Sequence, residues 1–130
     1  MSGNIDWSHL STAATKAAAA KQATIEAIAS ARYDHETAGT TASGVAVFTD
    51  RTTQMKLTGA AIRAERDPSY SVDWKQSDGT YVELSAVQLI AIADAVGDYV
   101  QACYSREAVL LAALADGSYT DAMLVEGWPS

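Results

Sequence analysis

The sequence has few cysteines and no long apolar stretch, the features that are typical of proteins from oxidising compartments and membranes. Cys103 is its only cysteine, which excludes an internal disulfide and a cysteine-rich zinc site and is typical of a reducing compartment. We expect Cys103 to be a small apolar core residue. No stretch approaches the roughly 18 apolar residues of a transmembrane helix, and residues 1–7 lack the charged and apolar segments of a signal peptide. We therefore expect no membrane partner and synthesis in the cytoplasm.

Basic residues are also scarce. Nine Lys and Arg stand against sixteen Asp and Glu, so the formal net charge is −7 and the pI is about 4.6. The nine are scattered along the chain, whereas a protein that binds a phosphate backbone needs them clustered. We expect no nucleic-acid partner.

Catalytic motifs are missing as well. The two histidines, His9 and His35, flank the first predicted helix without a Cys or Ser partner at a usable spacing. The glycines match no phosphate-binding loop. Asp94 and Asp98 lie one helical turn apart and could form a paired-carboxylate or divalent-ion site, although a solvated acidic face is the simpler interpretation. We predict no catalytic residue, cofactor or metal, and this acidic pair is the basis of an enzyme alternative.

What the chain does contain is enough apolar material, 48% of 130 residues, for one cooperative core. We predict an Ala-rich helical arm over residues 1–36 and an α+β domain with a long C-terminal helix and a short tail over residues 37–130. The arm's helix is predicted from Ser11, with Ser11 or Thr12 as N-cap, to about Tyr33. Its thin alanine stripe favours close packing on another helix, which could belong to another subunit. Thr37–Gly44 is predicted to be a loop.

A short strand and a second helix are predicted next. Val45–Phe48 is β-prone, and Asp50 is a good N-cap for a helix from Arg51 to about Arg66, before Asp67-Pro68. Gly59 in the middle of this helix indicates a close helix crossing, because glycine there costs about 1 kcal/mol relative to alanine. The predicted buried side of the helix consists of Met55, Leu57, Ala61 and Ile62.

Apolar and polar residues alternate between Val72 and Leu84, which predicts a β-hairpin and its register. A three-residue loop, Ser77–Gly79, with left-handed Gly79 pairs Trp74 with Val82 and Val72 with Leu84, which makes one face fully apolar. The opposite face then carries Asp73, Lys75, Tyr81 and Glu83.

A long helix follows the hairpin. Ser85 and Gln88 match a capping box, and Leu84 and Leu89 match a hydrophobic staple, so the helix should begin at Ser85 and continue for roughly 31 residues to Asp116. Its apolar residues alternate in steps of four and three, interrupted by Glu107, as in a helix–helix seam. The seam can be intermolecular or intramolecular. It includes Leu89, Val96, Val100, Leu110 and Leu114.

Together these elements predict an α+β fold in the order helix, strand, helix, β-hairpin, long helix. We expect a three-stranded antiparallel or mixed sheet packed on the helices, and a helical turn after Gly117. The predicted sheet contacts are Val45, Val47, Val72, Trp74, Val82 and Leu84. Exposed aromatic residues dominate binding hot spots, so we predict partner contacts at Tyr81, at neighbouring Lys75, and at Trp7 and Trp128 near the chain ends.

Several segments resemble a known family. Phe48 to Arg51, Leu57 to Ala60, the hairpin from Trp74 to Val82 and the helix around Tyr99 to Tyr104 are similar to a domain of unknown function that tailed bacteriophages and prophages encode, often beside tail-fibre genes. The resemblance covers roughly Ile25 to Leu114. Ile5-Asp6-Trp7 and Gly127-Trp128-Pro129 resemble the ends of small tail-fibre assembly proteins.

The resemblance implies a tail-fibre assembly chaperone, or a small component of the tail fibre or tail tip, that acts by protein–protein binding. A phage tail-fibre or tail-tip protein would be the partner, and a homo-oligomer would be possible. The protein would act in the host bacterial cytoplasm during assembly, and a component of the fibre or tail tip would stay in the virion tail. An alternative from the charge of −7 is an acidic phage inhibitor of a host nucleic-acid-binding protein.

Overall fold

The fold is α+β, as the sequence predicts. The computed structural model describes the backbone of residues 7–130 and the side chains of residues 12–130. In chain order the elements are α1 (Trp7–Glu36), β1 (Thr40–Ala42), β2 (Val45–Val47), α2 (Arg51–Arg66), β3 (Ser71–Lys75), β4 (Tyr81–Ser85), α3 (Ala86–Asp116) and α4 (Asp121–Leu124). None of the helices in this described part is long and apolar enough to cross a membrane.

The predicted three-stranded sheet is wrong, because the described strands form two separate antiparallel pairs, β1–β2 and β3–β4. Part of the predicted loop Thr37–Gly44 is strand β1, and β2 pairs with this strand. Ser43 and Gly44 form the two-residue turn between them, with φ of 51° and 78°. The two sheets meet where Ala46 accepts a backbone hydrogen bond from Ser77 at 3.1 Å and donates to the side chain of Gln76 at 3.3 Å.

The β3–β4 hairpin has the predicted register. Trp74 pairs with Val82 and Val72 pairs with Leu84. The loop is closed by a hydrogen bond from the Gln76 amide to the Thr80 carbonyl at 2.7 Å, and Gly79 has φ 90°. A left-handed glycine at this position confirms the three-residue loop.

The starts of α2 and α3 also agree with the sequence. The Asp50 carboxylate accepts the Thr53 amide at 3.2 Å. Ser85 and Gln88 form the reciprocal capping box, and Gly117 ends α3 with φ 82°. The prediction for α1 was wrong at its start, since α1 begins at Trp7 rather than at Ser11 or Thr12. No glycine or proline between Trp7 and Ser11 stops the helix from extending upstream.

The core lies where α2 and α3 cover the apolar faces of the strands. Val45, Val47 and Leu84 are buried, while Val72, Trp74 and Val82 are half-buried against them. The predicted seam residues of α3 also lie inward: Leu89, Val96 and Leu110 are buried, and Val100 and Leu114 are half-buried. Contacts within the chain account for the spacing of the seam, and a role in association stays a prediction. Cys103 is fully buried, as predicted.

The predicted buried side of α2 is partly wrong. Leu57 is buried together with Ala64, but Met55 and Ile62 are 75% and 46% exposed. A β-carbon built at Gly59 would meet nothing within 4 Å, so no helix crosses α2 there within the described chain. Apolar residues therefore lie on two sides of α2, and one of these sides packs on the core.

Helix α1 has two halves in different surroundings. Residues 12–23 are exposed at every position, whereas the second half packs on α3. The Tyr99 hydroxyl donates to the carbonyl of His35, and Arg32 donates to Glu107 at 3.1 Å. As α1 is followed backwards, its contacts move towards the C-terminal end of α3, so the two helices are antiparallel.

Candidate partner-binding site

A cleft between the β3–β4 hairpin and the start of α2 is the candidate site for binding a partner. The register places Tyr81 directly opposite Lys75, and Tyr81 is 67% exposed. These residues line an open cleft of about 300 Å³ with Phe48, itself 45% exposed, and with Lys56. Thr53, Asp73 and Trp74 complete its lining. We call this surface the hairpin cleft.

The segment between β2 and α2 positions the second wall of the hairpin cleft. Thr49 is fully buried: its hydroxyl accepts the Gly39 amide at 2.8 Å, and its carbonyl accepts the Gln54 side chain at 2.7 Å. The neighbouring Phe48 is thereby held beside the first turns of α2. Hydrogen bonds from the Thr53 side chain and backbone lower the pKa of Asp50, which stays ionised as the N-cap of that helix.

The hairpin cleft combines exposed aromatic rings with two cations on an otherwise acidic chain. Phe48 and Tyr81 offer apolar area, and Lys56 and Lys75 lie beside them. Aromatic residues are enriched at interface hot spots, and charges beside them add orientation. Asp73 is the one carboxylate in the lining. This arrangement suits non-covalent binding of a segment that carries apolar and acidic side chains.

Trp128, another predicted contact residue, is not at the hairpin cleft. Trp128 is half-buried: its ring stacks on His35 with centroids 4.8 Å apart, and its indole N–H donates to the Leu124 carbonyl at 2.7 Å. Arg106 also holds the tail, donating to the carbonyls of Glu126 and Met123. Trp128 therefore fastens the C-terminal tail to α1. The side chain of Trp7 lies outside the described residues.

Sequence reasoning missed a buried polar cluster that joins α1, α2 and α3. Glu36, 1% exposed, accepts hydrogen bonds from Arg32 at 2.8 Å, Arg51 at 3.2 Å and Gln54 at 3.1 Å. Arg32 continues to Glu107 and lies over the Tyr104 ring at 4.5 Å. Glu107, which interrupts the apolar seam of α3, therefore forms an ion pair with Arg32. Two signals were available, the i, i+4 spacing of Arg32 and Glu36 and the single carboxylate in the seam.

The cluster is arranged to keep Glu36 ionised. Burial alone raises the pKa of this carboxyl, but hydrogen bonds from Gln54, Arg32 and Arg51 outweigh burial and leave its pKa lowered. Burial and the bonds to Glu107 and Glu36 act on Arg32 in opposite directions, and the net effect raises its pKa. The cluster is thus a satisfied structural network, with every ionised group paired.

The acidic pair of α3 and the single cysteine are the other titratable candidates among the described residues. Asp94 and Asp98 are exposed on α3, and no group of three or more potential metal ligands exists among the residues that the structure describes. Burial raises the pKa of the Cys103 thiol, which keeps it protonated and unreactive. The enzyme alternative gains no support from this geometry.

Comparison with known proteins gives a family but no function. A family model described as "Domain of unknown function (DUF4376)" matches residues 19–126, which is most of the chain. Neither the curated proteins nor the solved structures gave a significant match. The chain belongs to the DUF4376 family, and its matched region contains α2, α3, both hairpins and most of α1.

Proposed function

We propose that this member of the DUF4376 family is a protein-binding component of a phage tail. It acts as an assembly chaperone for tail fibres or as a small component of the tail fibre or tail tip. The observation that supports binding is the hairpin cleft, where exposed Tyr81 and Phe48 lie between Lys56 and Lys75. The phage part of the proposal rests on the resemblance of the chain's motifs to tail-associated proteins.

The hairpin cleft is suited to binding because its exposed aromatic residues lie beside residues that are packed and hydrogen-bonded within the fold. Trp74 packs below the outer face, and the buried Thr49 fixes the adjoining wall. A partner that covers Tyr81 removes a large apolar area from water with few rotatable bonds to immobilise. Truncation of such an anchor costs about 2 kcal/mol or more, or roughly thirtyfold in affinity.

The acidic-inhibitor alternative has less support, because many carboxylates already have structural roles. Asp67, Asp78 and Asp116 each accept hydrogen bonds from a serine or threonine two residues later, and Asp50 caps α2. Glu36 and Glu107 are ion-paired inside the fold. Six of the sixteen Asp and Glu residues therefore serve turns, a helix cap and the polar cluster. Nucleic-acid mimicry would need a continuous exposed stripe of acidic residues.

The test is co-expression of the full chain with the C-terminal region of a tail-fibre protein encoded beside it. The proposal predicts a stable complex by light scattering and at least about thirtyfold weaker binding after Tyr81→Ala. Glu83→Ala is the matched control, since Glu83 lies on the same strand and face but does not line the cleft. A complex that Tyr81→Ala and Glu83→Ala affect equally would overturn the assignment of the surface.

A second measurement separates the two roles within the proposal. A chaperone binds fibre chains transiently and is missing from mature particles, whereas a structural component co-purifies with virions. A chain that ignores the fibre protein and instead captures a host nuclease or nucleic-acid-binding protein would overturn the proposal in favour of the inhibitor.

A further inference from the structure

The hairpin cleft lies at the edge of strand β3. Asp73, Trp74 and Lys75 are consecutive residues of this strand, and all three line the cleft. Successive side chains of a strand point to opposite faces of its sheet, so Asp73 and Lys75 lie on the outer face and Trp74 lies on the inner face. A cleft that residues of both faces line runs along the edge of the strand. In the two-stranded sheet β3–β4, this is the edge that does not pair with β4.

The ladder shows which backbone groups this edge presents. The Gln76 amide donates to the Thr80 carbonyl at 2.7 Å, so these two residues form a hydrogen-bonded pair next to the loop. Hydrogen-bonded and non-hydrogen-bonded pairs alternate along an antiparallel ladder, and the register then makes the pairs of Lys75 and Asp73 non-hydrogen-bonded. The N–H and C=O groups of Lys75 and Asp73 therefore point away from β4.

Within the described part of the chain, this edge is used at its loop end, where the Ser77 amide donates to the Ala46 carbonyl of β2 at 3.1 Å. Outside the β3–β4 ladder, no hydrogen bond joins Asp73 or Lys75 to another of the residues that the structure describes. Both residues are exposed. Phe48 follows β2 and lines the cleft beside this part of the edge. The amide and the carbonyl of Asp73 and Lys75 are therefore available to a further strand.

The side chains around this edge favour an acidic strand. Lys56 and Lys75 line the cleft with Asp73 as the one carboxylate, and neither lysine forms an ion pair within the described chain. A strand added to β3 would place alternate side chains on the outer face, beside Lys75 and Tyr81, and the others on the inner face, beside half-buried Trp74. Acidic residues suit the first set of positions, and apolar residues suit the second.

We propose that the hairpin cleft binds an extended segment of a partner protein, which adds to β3 as a further strand. The segment forms backbone hydrogen bonds with Asp73 and Lys75 and alternates acidic residues with apolar ones. In this mode of binding, the backbone bonds supply affinity and the alternate side chains supply selectivity. The inference rests on the proposed function, since it names the kind of segment that the same cleft takes.

Two defined peptides test the inference without a fibre protein. Both have eight residues and blocked ends, and they alternate valine with glutamate or valine with lysine. We expect the full-length chain to bind the glutamate peptide at least about tenfold more tightly, measured by NMR titration. A chain that does not bind the glutamate peptide has an edge that is merely protected by its lysines, and this result would overturn the inference.

Amide hydrogen exchange locates the added strand in the same samples. The glutamate peptide should slow exchange of the Asp73 and Lys75 amides at least about tenfold. The Glu83 amide is the control, because it points outward on the opposite edge, that of β4, and should not change. Slowed exchange at Glu83 alone would place the peptide on the wrong edge. Protection of Asp73 that rises with protein concentration in the absence of peptide would identify a second copy of the chain as the occupant, against the inference.

Proline substitution tests the backbone bonds. Asp73→Pro removes an N–H that points away from β4, so the ladder is kept, and proline is tolerated at such edge positions. Binding of the glutamate peptide should weaken at least about tenfold. Asp73→Ala, which keeps the N–H, and Glu83→Pro, which makes the same change on the β4 edge, should not weaken it. Equal losses in the two proline variants would contradict strand addition at β3, and the exchange measurement on the unmutated chain decides the question if Asp73→Pro does not fold.

Charge reversal tests the selectivity. Lys56→Glu combined with Lys75→Glu should weaken binding of the glutamate peptide at least about tenfold and make the lysine peptide the preferred one. Lys21→Glu, at an exposed position of α1 that does not line the cleft, should keep the original preference. An unchanged preference in the double variant would refute an acidic segment.

The C-terminal region of the fibre protein, tested in parallel, separates this inference from the proposed function. A chain that binds the glutamate peptide along β3 but ignores the fibre region would leave strand addition standing and sink the proposed function. A fibre complex that Tyr81→Ala weakens and Asp73→Pro does not, together with no binding of the glutamate peptide, would support the function and overturn strand addition. We expect Asp73→Pro to weaken both the peptide complex and the fibre complex.

Discussion

Glu36 is the most deeply buried charged residue among the described residues, and its hydrogen bonds join three helices. Its carboxylate contacts Arg32 and Arg51, whose side chains are 14% and 54% exposed. Removing one member of a buried pair leaves the other uncompensated, which costs up to 3–5 kcal/mol, but the exposure of Arg51 reduces this. We predict that Glu36→Gln lowers the free energy of unfolding by about 2–4 kcal/mol in urea denaturation. Glu26→Gln, on an exposed position of the same helix, is the control and should change it by less than about 0.5 kcal/mol.

The same residue predicts a pH dependence of stability. The pKa of Glu36 is lowered by folding, so its contribution to stability is present above the usual carboxyl pKa of 4.5 and is lost as pH falls through the lower folded value. Stability should therefore fall below about pH 4.5 in the unmutated chain, and less steeply in Glu36→Gln. Parallel acid profiles for the two chains, measured by urea denaturation across pH, would show that Glu36 is not the responsible group.

At the residue scale, burial on α2 could be predicted only in part. Met55 and Ile62 are apolar at helical spacing, which is the same signal that correctly identified Leu57. The sequence alone does not distinguish an apolar residue that packs in its own core from one on a free face. The Glu36 cluster was missed because its members come from three helices that are far apart in sequence.

At the scale of the helix, a substitution at Gly59 is predicted to stabilise the fold, whereas most substitutions destabilise a protein. The position is helical and its added β-carbon meets nothing within 4 Å. Gly59→Ala should raise the free energy of unfolding by about 1 kcal/mol, because alanine loses less backbone entropy in a helix. Thermal denaturation at low protein concentration checks this. A destabilised variant would mean that α2 is packed against another element at Gly59.

The capping box of α3 gives the second prediction at this scale. The Ser85 hydroxyl accepts the Gln88 amide at 3.3 Å, and the Gln88 side chain accepts the Ser85 amide at 2.9 Å. Ser85→Ala should lower the free energy of unfolding by about 1 kcal/mol. Ser105→Ala, at an exposed position inside α3, should have a smaller effect or a slightly stabilising one, since alanine favours helix interiors. Equal losses in the two variants would argue against the cap.

Elements defined by local chemistry could be predicted from the sequence, and pairings between distant elements could not. The register of β3–β4 follows from alternation across one turn, and the start of α3 follows from four consecutive residues. Strand β1 was missed because Thr40–Ala42 is only three residues long and its Ser43-Gly44 turn reads equally well as loop. The three-stranded sheet was wrong because β2 pairs with this missed strand, and Ala46 of β2 hydrogen-bonds to Gln76 and Ser77 without forming a third strand of the second hairpin.

At the scale of the whole molecule, the candidate site shows the same limit. Tyr81 and Lys75 share a face of one hairpin, so local periodicity was sufficient to place them together. Phe48 and Lys56 complete the hairpin cleft from a part of the chain more than eighteen residues away in sequence, and only tertiary packing brings them there. The fold thus gathers aromatic and basic residues onto one surface of an acidic chain, and this concentration underlies the proposed binding function.

The most direct test of that function is the solution mass of the chain with the C-terminal region of the neighbouring fibre protein, measured by light scattering beside the Tyr81→Ala and Glu83→Ala variants. We predict a complex with the unmutated chain and with Glu83→Ala, and its loss with Tyr81→Ala. A chain that never joins the fibre protein, while remaining folded, would contradict the proposed function.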